Sequence, residues 1–449
     1  MTAQARLLDD EAMRAFIANG YVTIKTDLPR QFHDELYEKT GAVFAEEGNP
    51  GNNLLPRLPD YQRVFDDPGV RGAMSSILGP DYYMHPHRHC HFNPPGSEGQ
   101  NMHKDSWARR HHHTRWTMAL YYPQDVPLER GPTGVVSGTH FHNKISDADL
   151  RAELPLTGEA GTVTIVHYDL WHRAMPNSTD QKRFMAKFLF TRMTEPEAPT
   201  WDSQGGEWDA DDLKHRSMWN WHSGRREAEL EGGDGAISDH IANLAAESEA
   251  DCLGAAYALA ARGEAALPDL LKALESASEE MRRNAGYALT AMGHKAVPAL
   301  IDTLAAADDK ARAGAANVLG DIGLPAQEAV PALTKTLGDP TVAARRHAAE
   351  SLGLLNGAAR SAASSLVDVL RDEDVWVRRN AALSLARLGR DAEEVLPALI
   401  EALHDDNRYV CAKSALALQR IDTPEAQNAL MDFLLTARWC PLTDKTTPY

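Results

Sequence analysis

Apolar and polar positions change their period once along the chain, and that change divides it in two. After Gly235 the pattern is helical and repeats. PDLLKAL starts at Pro268, PALIDTL at Pro298, PALTKTL at Pro331, SSLVDVL at Ser364, PALIEAL at Pro397 and NALMDFL at Asn428, at offsets of 30, 33, 33, 33 and 31 residues. Each heptapeptide is followed by an Asp-rich turn and an Ala-rich stretch, the first being NAGYALTAMG. Proline opening one helix and glycine closing the other punctuate a helical hairpin. A single hairpin cannot bury its apolar face, so the units are predicted to stack into an all-α solenoid.

The first half carries shorter runs. Asp9 and Asp10 are placed to cap a helix over Glu11–Ala18 that Gly20 ends. GYVTIK, YMHPHRHCHF, RWTMALYYP, GVVSG, TVTIVHY and FMAKFLFTR then read as strands bounded by turn residues, with no long helical pattern alternating between them. That spacing predicts an antiparallel sandwich or barrel. The polar, glycine-rich GRREAELEGGDGA at 224–236 places the boundary near residue 232, giving domains 1–232 and 233–449.

Composition narrows the partners. Lysine and arginine total 46 against 64 acidic residues, a net charge of −18, which argues against nucleic acid or an anionic membrane. No apolar run approaches the roughly 20 residues that span a bilayer. The start, MTAQARLLDDEAMRAF, lacks the apolar core of a secretion signal. Cys90, Cys252, Cys411 and Cys440 are scattered with no CxxC pair, which implies a reducing, cytoplasmic setting and no disulfide framework.

Candidate chemistry lies in the first half, where most histidines fall. In His103-Lys104-Asp105, an extended backbone sends the imidazole and the carboxylate to the same side. His172 is the best third donor. Two histidines and one carboxylate leave three octahedral positions open, the arrangement of non-haem Fe(II) oxygenases. A zinc hydrolase with three protein ligands fits the same set. Arg183 lies eleven residues after His172, at the start of the next strand. If the two strands pair, its guanidinium enters the same barrel mouth and suits a dicarboxylate.

LLDDEAMRAFIANGYVTI, His103-Lys104-Asp105, ERGPTGVVSGTH and HRAMPNSTDQKR, in that order, resemble the phytanoyl-CoA dioxygenase family over about residues 8–195. The resemblance implies a double-stranded β-helix (jelly-roll, cupin-like) α+β domain that uses Fe(II), O2 and 2-oxoglutarate. It implies His103, Asp105 and His172 as the catalytic iron ligands and Arg183 as anchor of the distal co-substrate carboxylate. Lys104 and Ser178 fall at positions near the co-substrate, although Lys104 should face away from its two neighbours. Family members that halogenate replace the carboxylate by a small residue, so Asp105 favours hydroxylation. The second half resembles HEAT-like repeats over about residues 237–436, without the ankyrin or tetratricopeptide signatures.

Other clusters have blander readings. His85, His87, His89 and His91 alternate and share one strand face, read mainly as a polar face. His111, His112 and His113 are consecutive, cannot all reach one metal, and read as a solvated loop. Arg109, Arg110 and Arg115 read the same way, with anion binding at the mouth as the sharper option. Asn177 reads as a turn former. Trp201, Trp208, Trp219 and Trp221 are expected to pack the domain junction. Arg312, Arg345 and Arg378 share a period with Asp339, Asp372 and Asp405, as an internal ladder would.

The expected protein is therefore multidomain, a β-helix oxygenase followed by an all-α HEAT-like solenoid. It would hydroxylate an aliphatic C–H of a small organic molecule, with or without a carboxylate or phosphate, releasing succinate and CO2. The rivals are a protein hydroxylase whose repeats dock the target, and a non-catalytic scaffold with a vestigial barrel. A protein partner on the repeats is compatible with either form of the enzyme.

Overall fold

The computed structural model describes residues 4–106, 111–225 and 228–436. Arg109, Arg110 and Cys440, named above, lie outside the described residues. The chain forms two compact units, Met1–Met292 and Gly293–Tyr449.

The first unit contains strands β1 (Tyr21–Lys25), β2 (Tyr82–Asn93), β3 (Trp116–Tyr122), β4 (Thr133–Val135), β5 (Leu154–Leu156), β6 (Thr162–His167), β7 (His172–Ala174) and β8 (Arg183–Arg192). They form a five-stranded sheet ordered β1-β6-β3-β8-β2 and a three-stranded sheet ordered β5-β4-β7. Every pairing within them is antiparallel. Met118, Leu120 and Tyr122 of β3 and Met185 and Leu189 of β8 share one core with Val135 and Leu156 of the smaller sheet. The two sheets thus close on a common interior, as the strand pattern's antiparallel sandwich or barrel and the resemblance's β-helix both led one to expect.

All ten residues of β8 are buried, because this strand is covered on both faces. Its inward positions include Arg183, Met185, Lys187 and Leu189, and its outward positions carry Phe184, Phe188 and Phe190. The outward phenylalanines need a cover. Helices Arg30–Glu47, Asp60–Phe65 and Pro68–Leu78 lie in the segment that supplies it. Phe65 meets Phe188 with ring centroids 4.3 Å apart, and Phe44 meets Phe184 at 5.1 Å. The sequence pattern suggested one helix followed mostly by strands, so these helices exceed the expectation.

The capping expectation holds. The Asp9 carboxylate accepts from the Ala12 N–H, and helix Asp10–Asn19 ends at Gly20 with φ 82°. Pro86, which cannot donate to a ladder, lies on edge strand β2, where the register slips between Met84 and Arg88.

Helices Ile237–Asn243, Glu249–Ala261, Leu267–Leu274 and Glu279–Met292 belong to the barrel's compact unit. Composition therefore changes near residue 232, whereas compact packing continues through the first helical pairs. Trp219 and Trp221 lie on helix Leu213–His222, which packs on helices Asp10–Asn19 and Glu249–Ala261. Trp219 also meets Trp201 and Trp208.

The second unit continues the hairpins. Its long helices Asp309–Ile322, Val342–Leu354, Val375–Leu388 and Arg408–Ile421 pack successively. A Cβ on Gly320 would lie 2.2 Å from Ser351 Oγ, and one on Gly353 would lie 2.2 Å from Ser384 Oγ. The small-residue pattern is thus a contact surface between repeats. The ladder forms as expected, with Arg312, Arg345 and Arg378 donating from Nε to Asp339, Asp372 and Asp405 at 2.7, 2.7 and 2.9 Å. Among the described residues no helix is long and apolar enough to cross a membrane.

Candidate metal centre

His103 and His172 are joined by their main chains before their side chains meet. They form an isolated antiparallel bridge that extends the small sheet beyond β7. His103 N–H donates to the His172 carbonyl at 3.0 Å, and His172 N–H to the His103 carbonyl at 2.9 Å. Residues opposed in this way project side chains from the same face. Their rings lie 4.7 Å apart between centroids. Asp105 follows His103 at the same-side interval.

Each imidazole is oriented by a carbonyl two residues upstream. His103 Nδ1 lies 2.9 Å from Asn101 O, and His172 Nδ1 lies 2.9 Å from Leu170 O. Donation from Nδ1–H fixes the tautomer whose free lone pair is on Nε2. Those Nε2 atoms face the carboxylate, His103 at 3.9 Å from Asp105 Oδ1 and His172 at 3.5 Å from Asp105 Oδ2. The three ligand atoms lie within 4.8 Å of one another. Adjacent ligands around an ion with bonds of about 2.1 Å stand roughly 3 Å apart, so a small inward closure completes the set. The donor set fits a divalent ion of the first transition row.

Electrostatics keep the donors in ligand form. Burial lowers the His103 pKa, which favours the neutral ring. For Asp105, burial opposes ionisation. His172 and Lys187 outweigh it and hold the carboxyl well below its usual range. Lys187 Nζ donates to Asp105 Oδ2 at 2.6 Å.

Arg183 begins β8 and is completely buried. Its Nε donates to Gly131 O at 2.8 Å, while Nη1 and Nη2 are buried with no partner. Such groups are costly to leave unpaired, so a buried guanidinium with two free nitrogens defines a place for an anion. Gly131 has φ 68°, and a Cβ there would stand 2.4 Å from Asn93 Nδ2 and 2.7 Å from Met175 O. Glycine is required at this turn, and the turn presents the carbonyl that holds Arg183. Tyr122 lies beneath the guanidinium, 5.7 Å from ring centroid to Cζ, and its hydroxyl is bonded to Thr133.

Other named residues go elsewhere. Lys104 faces away from the ligands, with Nζ 5.7 Å from the Trp171 ring centroid. Ser178 is exposed and donates to Glu129 O. Asn177 closes the turn, its Nδ2 reaching Asn93 O, Pro94 O and Gln181 O. The solvated-loop reading of the histidine triplet is overturned for His112 and His113, which are buried. His112 stacks on Tyr287 and His113 on Trp221. Arg115 is also buried, in a two-pronged ion pair with Glu195 at 2.8 and 3.0 Å. Aromatic and acidic partners distant in sequence account for both corrections.

On β2, His89 and His91 oppose Lys187 and Met185 of β8, and so share their inward face. They stand 3.0 Å apart at Nε2. Sequence reasoning ranked them as an ordinary polar face and did not single out Lys187 or Tyr122. A cation and an aromatic at alternate positions of apolar strands were the available signals.

Residues 18–185 match the family model for phytanoyl-CoA dioxygenase, and residues 297–386 and 363–439 match that for HEAT repeats. Two stretches of the chain are thus similar, in order, to a phytanoyl-CoA dioxygenase domain and to HEAT repeats. Similar solved structures include the non-heme alpha ketoglutarate dependent carbocyclase SnoK of nogalamycin biosynthesis, 18% identical with a TM-score of 0.36, covering 42% of this chain and 85% of that one. The epimerase SnoN of the same biosynthesis is 18% identical with a TM-score of 0.37, over 41% and 83%. HygX from Streptomyces hygroscopicus is 13% identical with a TM-score of 0.35, over 41% and 87%. Among curated proteins none matches the chain.

Proposed function

We propose that the protein is an Fe(II)- and 2-oxoglutarate-dependent hydroxylase of an aliphatic C–H bond in a small organic molecule, with succinate and CO2 as co-products. One observation carries the reading. The His103, Asp105 and His172 donor atoms lie within 4.8 Å of one another in a barrel that also holds a buried Arg183 with two unpartnered nitrogens. A ferrous ion with 2-oxoglutarate and O2 supplies an oxidant able to attack an unactivated C–H bond.

The residues have separable duties in this reading. His103 and His172 offer Nε2 lone pairs, held in register by the bridge between their main chains. Asp105 contributes the negative charge. Arg183 binds the distal carboxylate as a fork, on a guanidinium fixed by Gly131. Apolar neighbours such as Met185 and Leu189 limit water around the reacting atoms. The contacts around Lys104 and Ser178 support structural duties for both.

We read residues 1–232 as the catalytic domain and 233–449 as the repeat domain, the repeats offering a docking surface for a protein partner. Free Cys90, Cys252 and Cys411 suit a reducing, cytoplasmic setting.

Anaerobic addition of Fe(II) and then 2-oxoglutarate tests the centre. A weak visible charge-transfer band is expected, followed by succinate release on admitting air. Loss of both in His103→Ala and Asp105→Ala variants that remain folded supports the assignment. Retention of both in those variants removes it.

A further inference from the structure

Lys187 lies on β8 four residues beyond Arg183, on the same inward face and about 13 Å further along the strand. Its side chain is 6% exposed, and its ammonium meets Asp105 Oδ2. Among the described residues, the positions opposite it in the sheet carry no anion. His89 stands opposite it on β2 and Leu120 opposite it on β3. His89 and His91 are held neutral, first by burial and then by the Lys187 charge, at about 4 and about 2. Among the described residues, Asp105 is the only carboxylate paired with this buried cation.

One carboxylate cannot neutralise two cations. The reading above places a divalent ion on Asp105, and this inference rests on it. With that ion present, Lys187, Arg183 and the metal outweigh Asp105 by three positive charges. A dicarboxylate co-substrate removes two. Its carboxylates already have seats, one on Arg183 and one at the metal. A single positive charge remains beside the reacting centre, in an interior where an unbalanced charge is expensive.

We infer that the molecule oxidised in this barrel is an anion, whose carboxylate, sulfonate or phosphate group is seated on Lys187 Nζ beside the metal. Lys187 thereby selects the substrate class and fixes which carbon approaches the centre. A compact ammonium donating up to three hydrogen bonds suits a terminal oxyanion.

The test uses the full chain in two additions. Fe(II) and 2-oxoglutarate are added anaerobically, and the visible band reports loading. Acetate and methanesulfonate are then titrated in, with acetamide as the neutral control. The expected result is a saturable shift of the band with either anion and none with acetamide. In Lys187→Met, read at saturating Fe(II) and 2-oxoglutarate, the anion response should weaken by roughly tenfold or more, as for loss of one charge-assisted hydrogen bond. Equal effects of acetate and acetamide on the unmutated chain would overturn the inference, whether or not the variant folds. So would bleaching of the band by acetate in competition with 2-oxoglutarate. A Lys187→Met protein that needs more 2-oxoglutarate yet responds normally to acetate would assign the lysine to the co-substrate instead. Absence of the band in the unmutated chain would remove the oxygenase reading itself, and this inference with it.

Discussion

The imidazole of His112 lies on the ring of Tyr287, with centroids 3.7 Å apart and planes 24° from parallel. Its Nδ1 is 2.7 Å from the Tyr257 hydroxyl. Both tyrosines stand on helices of the repeat pattern, Glu249–Ala261 and Glu279–Met292, within the barrel's compact unit. His112 follows the ligand segment, so these helices fasten the chain that leads from Asp105 into β3. Tyr287→Ala should lower stability by about 3 kcal/mol, the usual cost of truncating a buried aromatic. Tyr287→Phe keeps the ring and should cost about 1 kcal/mol or less. Thermal unfolding of the two variants, with and without Fe(II), checks the difference; equal effects would show that stacking is unimportant.

Removing Asp105 does two things at once. It deletes a proposed metal ligand and leaves Lys187 buried without its counter-charge. Asp105→Ala should therefore abolish iron binding and destabilise by about 2–4 kcal/mol. Adding Lys187→Met should recover most of the stability and none of the iron. Denaturant titration and equilibrium dialysis of the single and double variants measure the two losses separately.

Arg183→Ala should raise the KM for 2-oxoglutarate by about tenfold to a hundredfold, with little change in iron affinity, because the side chain is not among the three clustered donors. Arg183→Lys should recover only part, since an ammonium cannot reproduce a planar fork held by Gly131. Succinate production against 2-oxoglutarate concentration provides the measurement, and an unchanged KM would place the anchor elsewhere.

A buried set of neutral histidines makes the first unit sensitive to mild acid. Burial lowers His167 to about 4 and holds His112, His140 and His222 well below their ordinary value of 6.5. Depressed histidine values mean that the unfolded chain takes up protons first. The resulting loss of stability is absent above about pH 6.5 and grows as pH falls towards 4. Each such histidine costs about 1.4 kcal/mol one unit below 6.5. Denaturation midpoints at pH 7.5, 6.5 and 5.5 should fall between the last two, before ordinary carboxylates titrate. A flat response over that interval would contradict the prediction.

In the repeats, Gly353→Ala should destabilise by about 1–3 kcal/mol through overpacking, although alanine is the better helix former. The new methyl would meet Ser384 at both Oγ and Cβ. Ser384→Gly on the facing helix should relieve much of the cost. Calorimetry of the single and paired variants decides it, and an additive result would deny the contact.

The legible features were local in sequence. A two-residue interval placed His103 with Asp105, a fixed period exposed the hairpins, and strand boundaries followed the turn residues. Arg183 was singled out on the condition that its strand pairs with that of His172, and the structure does not meet it: β7 lies in the three-stranded sheet and β8 in the five-stranded one. Burial decided by distant partners was not. His112 depends on Tyr257, 145 residues away, and Arg115 on Glu195, 80 residues away. Helices Arg30–Glu47 and Pro68–Leu78 escaped notice because their packing is set by the phenylalanines of β8. Lys187 was hidden inside FMAKFLFTR, where a strand reading registers one polar residue and stops.

The main-chain bridge between His103 and His172 has a bearing on how such a centre can diversify. Ligand spacing there is set by the pleat, whatever side chains form the surrounding walls. Residues such as Lys187, His89 and Tyr122 can therefore be exchanged to suit a new guest while the anchoring points stay where they are. Redesign of selectivity is best begun on β2, β3 and β8, leaving the smaller sheet untouched.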